Sequence, residues 1–305
     1  MASISTYPMQ SLKLAFNKIT NKCVGKSQTM NRPMIIMHGL FGNSNNNRTM
    51  ANFILEIETQ RNPGSYRDIY LLNMRNHGTS PCDPDMAYGT MSQDIFKFIK
   101  DHNLEQPVLV GHSMGGKVAM HCVLENPGMF SSIVCIENSP VVQPINKKFI
   151  EYIQVLQNIC QDPNIKTLAQ AKDVLDIVEK NPLISGFLLT MLQRKNSNIS
   201  NLSGINSTDQ PGLQSKLPLD ILKNSLANGS ISGWNNQHFG DKQYFEPALF
   251  IKGSKSDYIK EYKDWDTIQK RFPKAVLEVV KDAGHFVNAE RPRDCASLIT
   301  RFLIR

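Results

Sequence analysis

The chain has 305 residues, a formal net charge of +7, 41% hydrophobic residues and 8% aromatics. That is enough to bury a large core in one domain carrying an insertion, and no apolar run approaches the ~20 residues that span a bilayer. The basic residues are spread without a Lys/Arg-rich block, so the charge reads as a solvated surface and nucleic acid is excluded as the main partner.

The six cysteines, Cys23, Cys82, Cys122, Cys135, Cys160 and Cys295, occur singly, without a CxxC pair, which points to a reducing compartment. The opening residues lack an apolar secretory h-region. Ahead of Glu56 there is no acidic residue, while Lys13, Lys18, Lys22, Lys26, Arg32 and Arg48 are interspersed with serines, a bias shared with mitochondrial transit peptides. Leu12, Leu14 and Phe16 alternate as the inward face of a first strand. This leaves only about ten residues ahead of the fold for any presequence.

Short apolar runs then alternate with helical patterns at 34–37, 69–72, 108–110, 133–136, 248–251 and 275–280, the signature of an α/β fold with a mostly parallel central sheet. Between two of them, Thr90 and Gln93 have capping-box spacing, and Met91, Ile95, Phe98 and Ile99 share one face of a crossover helix. From 141 to 245 the strand pattern gives way to helical stripes, Phe149, Ile153, Leu156 and Cys160, then Leu168, Ala171, Leu175 and Val178. The expected organisation is a core of 12–140 and 246–305 with a helical cap insertion at 141–245. Residues 195–215, rich in Asn and Ser, read as a mobile loop within the cap.

The strongest chemical signal is Gly111-His112-Ser113-Met114-Gly115-Gly116, which follows the apolar run 108–110 and precedes a helix-compatible stretch. A serine nucleophile has to stand clear of the sheet edge on a strained strand-to-helix turn, which leaves no room for side chains at Gly111 and Gly115. The helix N-terminus adds a favourable potential for developing negative charge. Such a serine needs a base and an acid that orients the base. Asp282-Ala283-Gly284-His285-Phe286, after the last strand pattern, supplies His285 in the chain order that this geometry requires.

His112 belongs to the turn itself, His121 to the following helix, and His38 and His77 to Gly-containing turns where structural roles suffice. None of these histidines has zinc-site spacing to its neighbours, so no metal site is expected. Two carboxylates at strand ends stand in suitable order for the acid, Glu137 and Asp257. The loop His38-Gly39-Leu40-Phe41-Gly42 follows the run 34–37, and the backbone N–H groups of Leu40 and Met114 are the expected oxyanion-hole donors.

Together with Arg75-Asn76-His77-Gly78-Thr79-Ser80, Asp85-Met86-Ala87-Tyr88 and Glu137-Asn138-Ser139-Pro140, these motifs resemble the mitochondrial abhydrolase-type esterases of the α/β-hydrolase superfamily, the group that includes the yeast ethanol acetyltransferases. The resemblance is densest before Val142 and weak in the cap. It implies the α/β-hydrolase fold and, as triad acid, Glu137, a departure from the aspartate that many members carry there, with Asp257, at the more usual acid position of the wider fold, as the alternative. It also implies acetyl transfer from acetyl-CoA to ethanol through a Ser113 acyl-enzyme, with thioester and ester hydrolysis as side activities. A plain mitochondrial serine esterase or thioesterase is the first alternative, and a non-catalytic binding protein on the same fold is the second. Acetyl-CoA would enter as a substrate, with no cofactor. The expected partners are a small acyl donor and a short alcohol, the expected state a monomer, and the expected location mitochondrial or otherwise cytoplasmic.

Overall fold

The computed structural model describes residues 10–21, 29–144, 146–195 and 212–304. Seven strands form its main sheet: β1 (Phe16–Thr20), β2 (Met34–Met37), β3 (Asp68–Leu72), β4 (Val108–His112), β5 (Ser132–Ile136), β6 (Ala248–Gly253) and β7 (Ala275–Val280). Their spatial order is β1-β3-β2-β4-β5-β6-β7, with β1 antiparallel to β3 and every other pair parallel. The inner strands β2, β4 and β5 are buried along their whole length, as a parallel sheet covered on both faces requires. Registers Met37↔Gly111 and His112↔Ile136 bring the carboxyl ends of these three strands level with one another.

The chain divides into two compact units. One contains the described residues of Met1–Gln143 and Ser230–Arg305, and the other those of Pro144–Gly229. In the first unit, α1 (Arg48–Arg61), α2 (Tyr88–Asp101) and α3 (Met114–Glu125) follow successive strands of the first half. The second unit holds α4 (Lys147–Gln161), α5 (Leu168–Val178), α6 (Pro182–Leu189) and α7 (Leu219–Ala227), with a short antiparallel pair of Leu192–Arg194 and Leu213–Ser215. Its helices bury the expected stripes at Ile153 and Leu156 of α4 and at Ala171 and Leu175 of α5. The chain then re-enters the first unit with α8 (Asn236–Phe239), α9 (Glu261–Arg271), α10 (Val287–Glu290) and α11 (Pro292–Leu303). No helix among the described residues is long and apolar enough to cross a membrane.

Three expectations are corrected in detail. The insertion ends earlier than 245, because 230–245 is fastened to the first unit by specific polar contacts. Tyr88 Oη donates to Ile231 O, Lys117 Nζ to the carbonyls of Ser232 and Gly233, and Tyr244 N to Arg271 O. The first strand begins at Phe16 rather than Leu12, since Leu12 N–H goes to Asp94 Oδ1 and Ala15 N–H to Ser80 Oγ instead of to a neighbouring strand. Phe16 itself packs against the rings of Tyr70, Phe98 and His102 while staying about one-third exposed. Finally, α2 starts at Tyr88, so Thr90 lies inside its first turn and gives its hydroxyl to Asp85 in place of a capping box. The predicted mobile loop falls mainly on 196–211, outside the described residues.

The motif Arg75–Ser80 has a structural explanation. Arg75, wholly buried, forms a two-pronged pair with Asp94 of α2 at 2.7 and 2.8 Å and also donates to Asp85 O at 2.6 Å. Asp94 in turn receives Leu12 N–H at 2.6 Å, so one ion pair ties the chain ahead of β1, the loop after β3 and α2 together. Removing one member would leave an uncompensated charge in the interior, at a cost of about 3–5 kcal/mol.

The turn between β4 and α3 is closed to side chains. A Cβ on Gly111 would lie 2.1 Å from Gly115 O, and one on Gly115 would lie 2.6 Å from Met37 O. Both obstacles are backbone and neither can rotate away. Gly115→Ala is therefore expected to abolish soluble expression or lower the melting temperature by about 5–10 °C, the order of magnitude for a core overpacking of about 3 kcal/mol. Gly128→Ala, where an added Cβ meets nothing within 4 Å, is expected to leave the melting temperature within about 2 °C.

Candidate active site

Ser113 stands between β4 and α3 with φ 53° and ψ −115°, a left-handed conformation that costs a non-glycine residue about 1–3 kcal/mol. Its backbone is pinned on both sides: Ser113 N–H donates to Ile136 O at 2.8 Å, and Asn138 Nδ2 donates to Ser113 O at 3.0 Å. The end of β5 thus holds the turn in place. The side chain points at the loop that precedes α10, where His285 Nε2 lies 3.1 Å from Ser113 Oγ.

The other ring nitrogen, His285 Nδ1, lies 3.2 Å from Glu137 Oε2. With Nδ1–H donating to the carboxylate, Nε2 keeps its lone pair for the serine proton. Glu137 follows β5 directly, has φ 58° and is fully buried. A carboxylate there needs donors, and Gly253 N–H and Ser256 Oγ provide them at Oε1 and Oε2. The ring of Tyr258 stacks on His285 with centroids 3.7 Å apart and planes 23° from parallel, fixing the imidazole from one face. His112 Nε2–H donates to His285 O at 2.8 Å and fixes its backbone.

The loop after β2 runs beside the serine. A Cβ on Gly39 would sit 3.1 Å from Ser113 Cβ. Leu40 and Met114 are both buried, and the N–H of neither has a hydrogen-bond partner among the described residues. The conformation of this loop is maintained by two buried imidazoles. His77 Nδ1–H donates to Arg75 O while Nε2 accepts Phe41 N–H at 3.1 Å, and His38 Nδ1–H donates to Gly39 O while Nε2 accepts Met74 N–H at 3.0 Å. Each ring must be neutral to play both parts.

The structure therefore brings Ser113, His285 and Glu137 into one line, with Leu40 and Met114 alongside. Asp257 is exposed and has no hydrogen bond or ion pair to His285 among the described residues. Sequence reading missed Ser256 and Tyr258, which flank Asp257 and contact Glu137 and His285 in its stead. The sole signal for them was their position after a strand end. A separate cleft of about 860 Å³ opens at the other end of the strands, lined by Val108, Ser132 and Pro247, remote from these groups.

A family described as the alpha/beta hydrolase fold matches residues 32–292. This chain belongs to the α/β-hydrolase fold family. Among proteins it resembles, a "probable alcohol acetyltransferase" of Saccharomyces cerevisiae is 40% identical over 280 residues, 90% of this chain and 77% of the relative. An "sn-1-specific diacylglycerol lipase" of Danio rerio is 31% identical over 274 residues, covering 89% of this chain and 78% of the relative. A solved marine-microorganism esterase is 30% identical and superposes with a TM-score of 0.78, covering 96% of this chain and 100% of that one.

Within this α/β-hydrolase, burial sets the protonation states. It pushes His285 down to about 3, His112 to about 3 and His77 to about 4, holds His38 well below the ordinary imidazole range, and raises the carboxyl of Glu137. The imidazoles are thus neutral in the fold from neutral pH down through pH 5, whereas in the unfolded chain they take up protons below about 6.5. The unfolded state binds more protons, so stability falls as pH falls through 6.5, by about 1.4 kcal/mol per pH unit for each imidazole still neutral. The carboxyls of Glu137 and Asp94, raised by burial, act in the opposite direction. The denaturant midpoint is expected to drop steadily between pH 6.5 and 5; an unchanged midpoint would mean that these rings are not held neutral.

The choice between the two candidate acids is directly testable. Glu137→Gln is expected to lower kcat for p-nitrophenyl acetate hydrolysis by about 10³–10⁴-fold, since the imidazole loses the partner that sets its tautomer. Asp257→Asn is expected to change it less than about twofold, and the reverse ranking would move the orienting role to Asp257.

Proposed function

We propose that this chain is a serine-dependent alcohol acetyltransferase that transfers an acetyl group from acetyl-CoA to ethanol, giving ethyl acetate, with thioester and ester hydrolysis as side reactions. The observation that carries the reading is the line from Ser113 Oγ through His285 to Glu137, beside the N–H groups of Leu40 and Met114, which have no partner among the described residues. Similarity to a probable alcohol acetyltransferase supports the alcohol as acceptor.

In the first half-reaction, Ser113 Oγ attacks the thioester carbonyl while its proton passes to His285 Nε2, and the carbonyl electrons move onto oxygen. The N–H groups of Leu40 and Met114 donate to that oxyanion, each worth about 10²–10³-fold in rate. Collapse breaks the C–S bond, and the imidazolium returns the proton to the leaving thiolate. In the second half, ethanol attacks the acetyl-Ser113 carbonyl, gives its proton to His285, and Ser113 leaves with that proton restored. Glu137 remains a carboxylate throughout and stabilises the imidazolium. Water in place of ethanol gives acetate by the same steps.

Every group in this scheme is an amino-acid side chain or backbone amide, with acetyl-CoA as substrate and no cofactor called upon. The acid-poor, Lys-, Arg- and Ser-containing stretch before Glu56 supports a mitochondrial location. A second reading, ester hydrolysis without productive transfer, is favoured by the similarity to the diacylglycerol lipase and the esterase.

The test is product partition by the purified protein given acetyl-CoA with and without ethanol, following ethyl acetate, acetate and free thiol together. Ethyl acetate formation that disappears in Ser113→Ala is expected. Acetate alone, unaffected by ethanol, would leave a thioesterase; activity on simple esters without thiol release would leave a plain esterase. Failure of Ser113 to label with a fluorophosphonate would leave only a binding protein.

A further inference from the structure

At the far end of α3 from Ser113, three side chains converge that play no part in acyl transfer. His121 and Glu125 are one helical turn apart on the same face of α3, and His238 comes from α8. One ligand-type atom from each residue, an imidazole nitrogen or a carboxylate oxygen, lies within 4.8 Å of the other two. The two histidine rings are stacked, with centroids 5.6 Å apart and planes 21° from parallel, and His238 Nε2 touches Glu125 Oε1.

The state of His121 can be read from its partner. Ser92 Oγ lies 2.9 Å from both Tyr88 O and His121 Nδ1, so the ring is anchored through Nδ1. The anchored ring leaves Nε2 to face the cluster, where a bound ion would select the Nδ1–H tautomer. Its Nε2 has no hydrogen-bond partner among the described residues and keeps some contact with solvent. A buried imidazole oriented through one nitrogen, with the other left bare, is the arrangement that metal-bound histidines show. Gly89 faces this ring, and even a Cβ there would remain 3.9 Å from Nε2, so no side chain crowds it from that direction.

The local potential also favours a cation. Glu125 is the last residue of α3, where the unpaired helix carbonyls carry partial negative charge. The opposing group is Lys242, whose Nζ lies 3.7 Å from Glu125 Oε2 and competes for the same carboxylate. Lys242 is half-exposed and can swing away, and His238 is likewise half-exposed on a helix of four residues. A small shift of His238 would bring the donors to the ~2.0–2.2 Å distances of zinc coordination.

We propose that His121 Nε2, the Glu125 carboxylate and His238 bind a divalent transition ion of the zinc class, with a fourth position open to water. Two imidazoles and one carboxylate suit zinc, cobalt or nickel and do not suit the all-oxygen coordination of calcium or magnesium. Sequence spacing conceals the site, because Glu125 and His238 are 113 residues apart. The ion would fasten the segment re-entering the first unit, through α8, onto α3. His121 and Glu125 lie about 12 and about 18 Å along the helix axis from the serine, too far for the ion to polarise a substrate there. Its effect is on stability, not on the chemical step.

The experiment uses the full chain carrying no polyhistidine tag, stripped with chelator and titrated with Co²⁺ while visible absorption is followed, then with Zn²⁺ in competition and in thermal melts. One equivalent of Co²⁺ displaced by Zn²⁺, and a melting temperature raised by a few degrees with Zn²⁺, are expected. Both effects should weaken at least tenfold in apparent affinity in His238→Ala and, independently, in Glu125→Gln. Ester hydrolysis by the metal-free variants should stay within twofold of the metal-free parent. Saturable binding absent up to about 1 mM ion, or binding unchanged in both variants, overturns the proposal.

Discussion

Everything at the candidate site depends on one backbone constraint: a serine held at φ 53° where a central parallel strand turns into a helix. The conformation is unfavourable in isolation and persists because the surroundings over-determine it. Gly111 and Gly115 allow the turn to close against itself and against the end of β2. Ile136 O and Asn138 anchor the serine backbone from the end of β5. Because β4 lies between β2 and β5, the strands that brace the turn are also those that deliver the Leu40 loop and Glu137. Strain at one residue is thereby balanced by the packing of three strands.

A second theme is how polar groups are kept inside. His38 and His77 each spend one nitrogen as donor and the other as acceptor on backbone, so each satisfies its own burial while shaping the loop that flanks Ser113. Glu137 is buried as a carboxylate acceptor with donors from Gly253 and Ser256, and His285 completes the set. These groups are worth little as isolated stabilising contacts, yet leaving any of them unpartnered would be expensive. The interior polarity that serves the chemistry is affordable only as a completed network.

Glu137 and Asp257 also show how neighbouring strands can share a task. β5 and β6 are adjacent and parallel, with Ile136 opposite Ile251, so the residues after both strand ends face the same loop. The longer glutamate reaches from the end of β5 to His285, and the corresponding end of β6 contributes hydrogen-bond donors in place of an acid. Tyr258 adds the stacking face that holds the imidazole against the carboxylate. The second half of the sheet thus supports the acid of the first.

Much of this was legible in the residues themselves. The alternation of apolar runs and helical stripes marks every strand from β2 to β7, and the glycine spacing around Ser113 marks the strained turn, because sterics and periodicity act over a few neighbouring residues. Errors arose where particular hydrogen bonds override the periodic pattern: Leu12 alternates like a strand residue but gives its N–H to the distant Asp94, and Thr90 has cap spacing but bonds to the nearby Asp85. The return segment 230–245 lacks strand pattern yet is claimed by carbonyl contacts to Lys117 and Tyr88. By itself the sequence determined the fold class, the nucleophile-type turn and a short list of partners for it. Only the tertiary structure decided that Glu137 and not Asp257 meets His285, and that His121, Glu125 and His238 converge, since such meetings between residues more than a hundred positions apart are set by strand order and register, which no local pattern encodes.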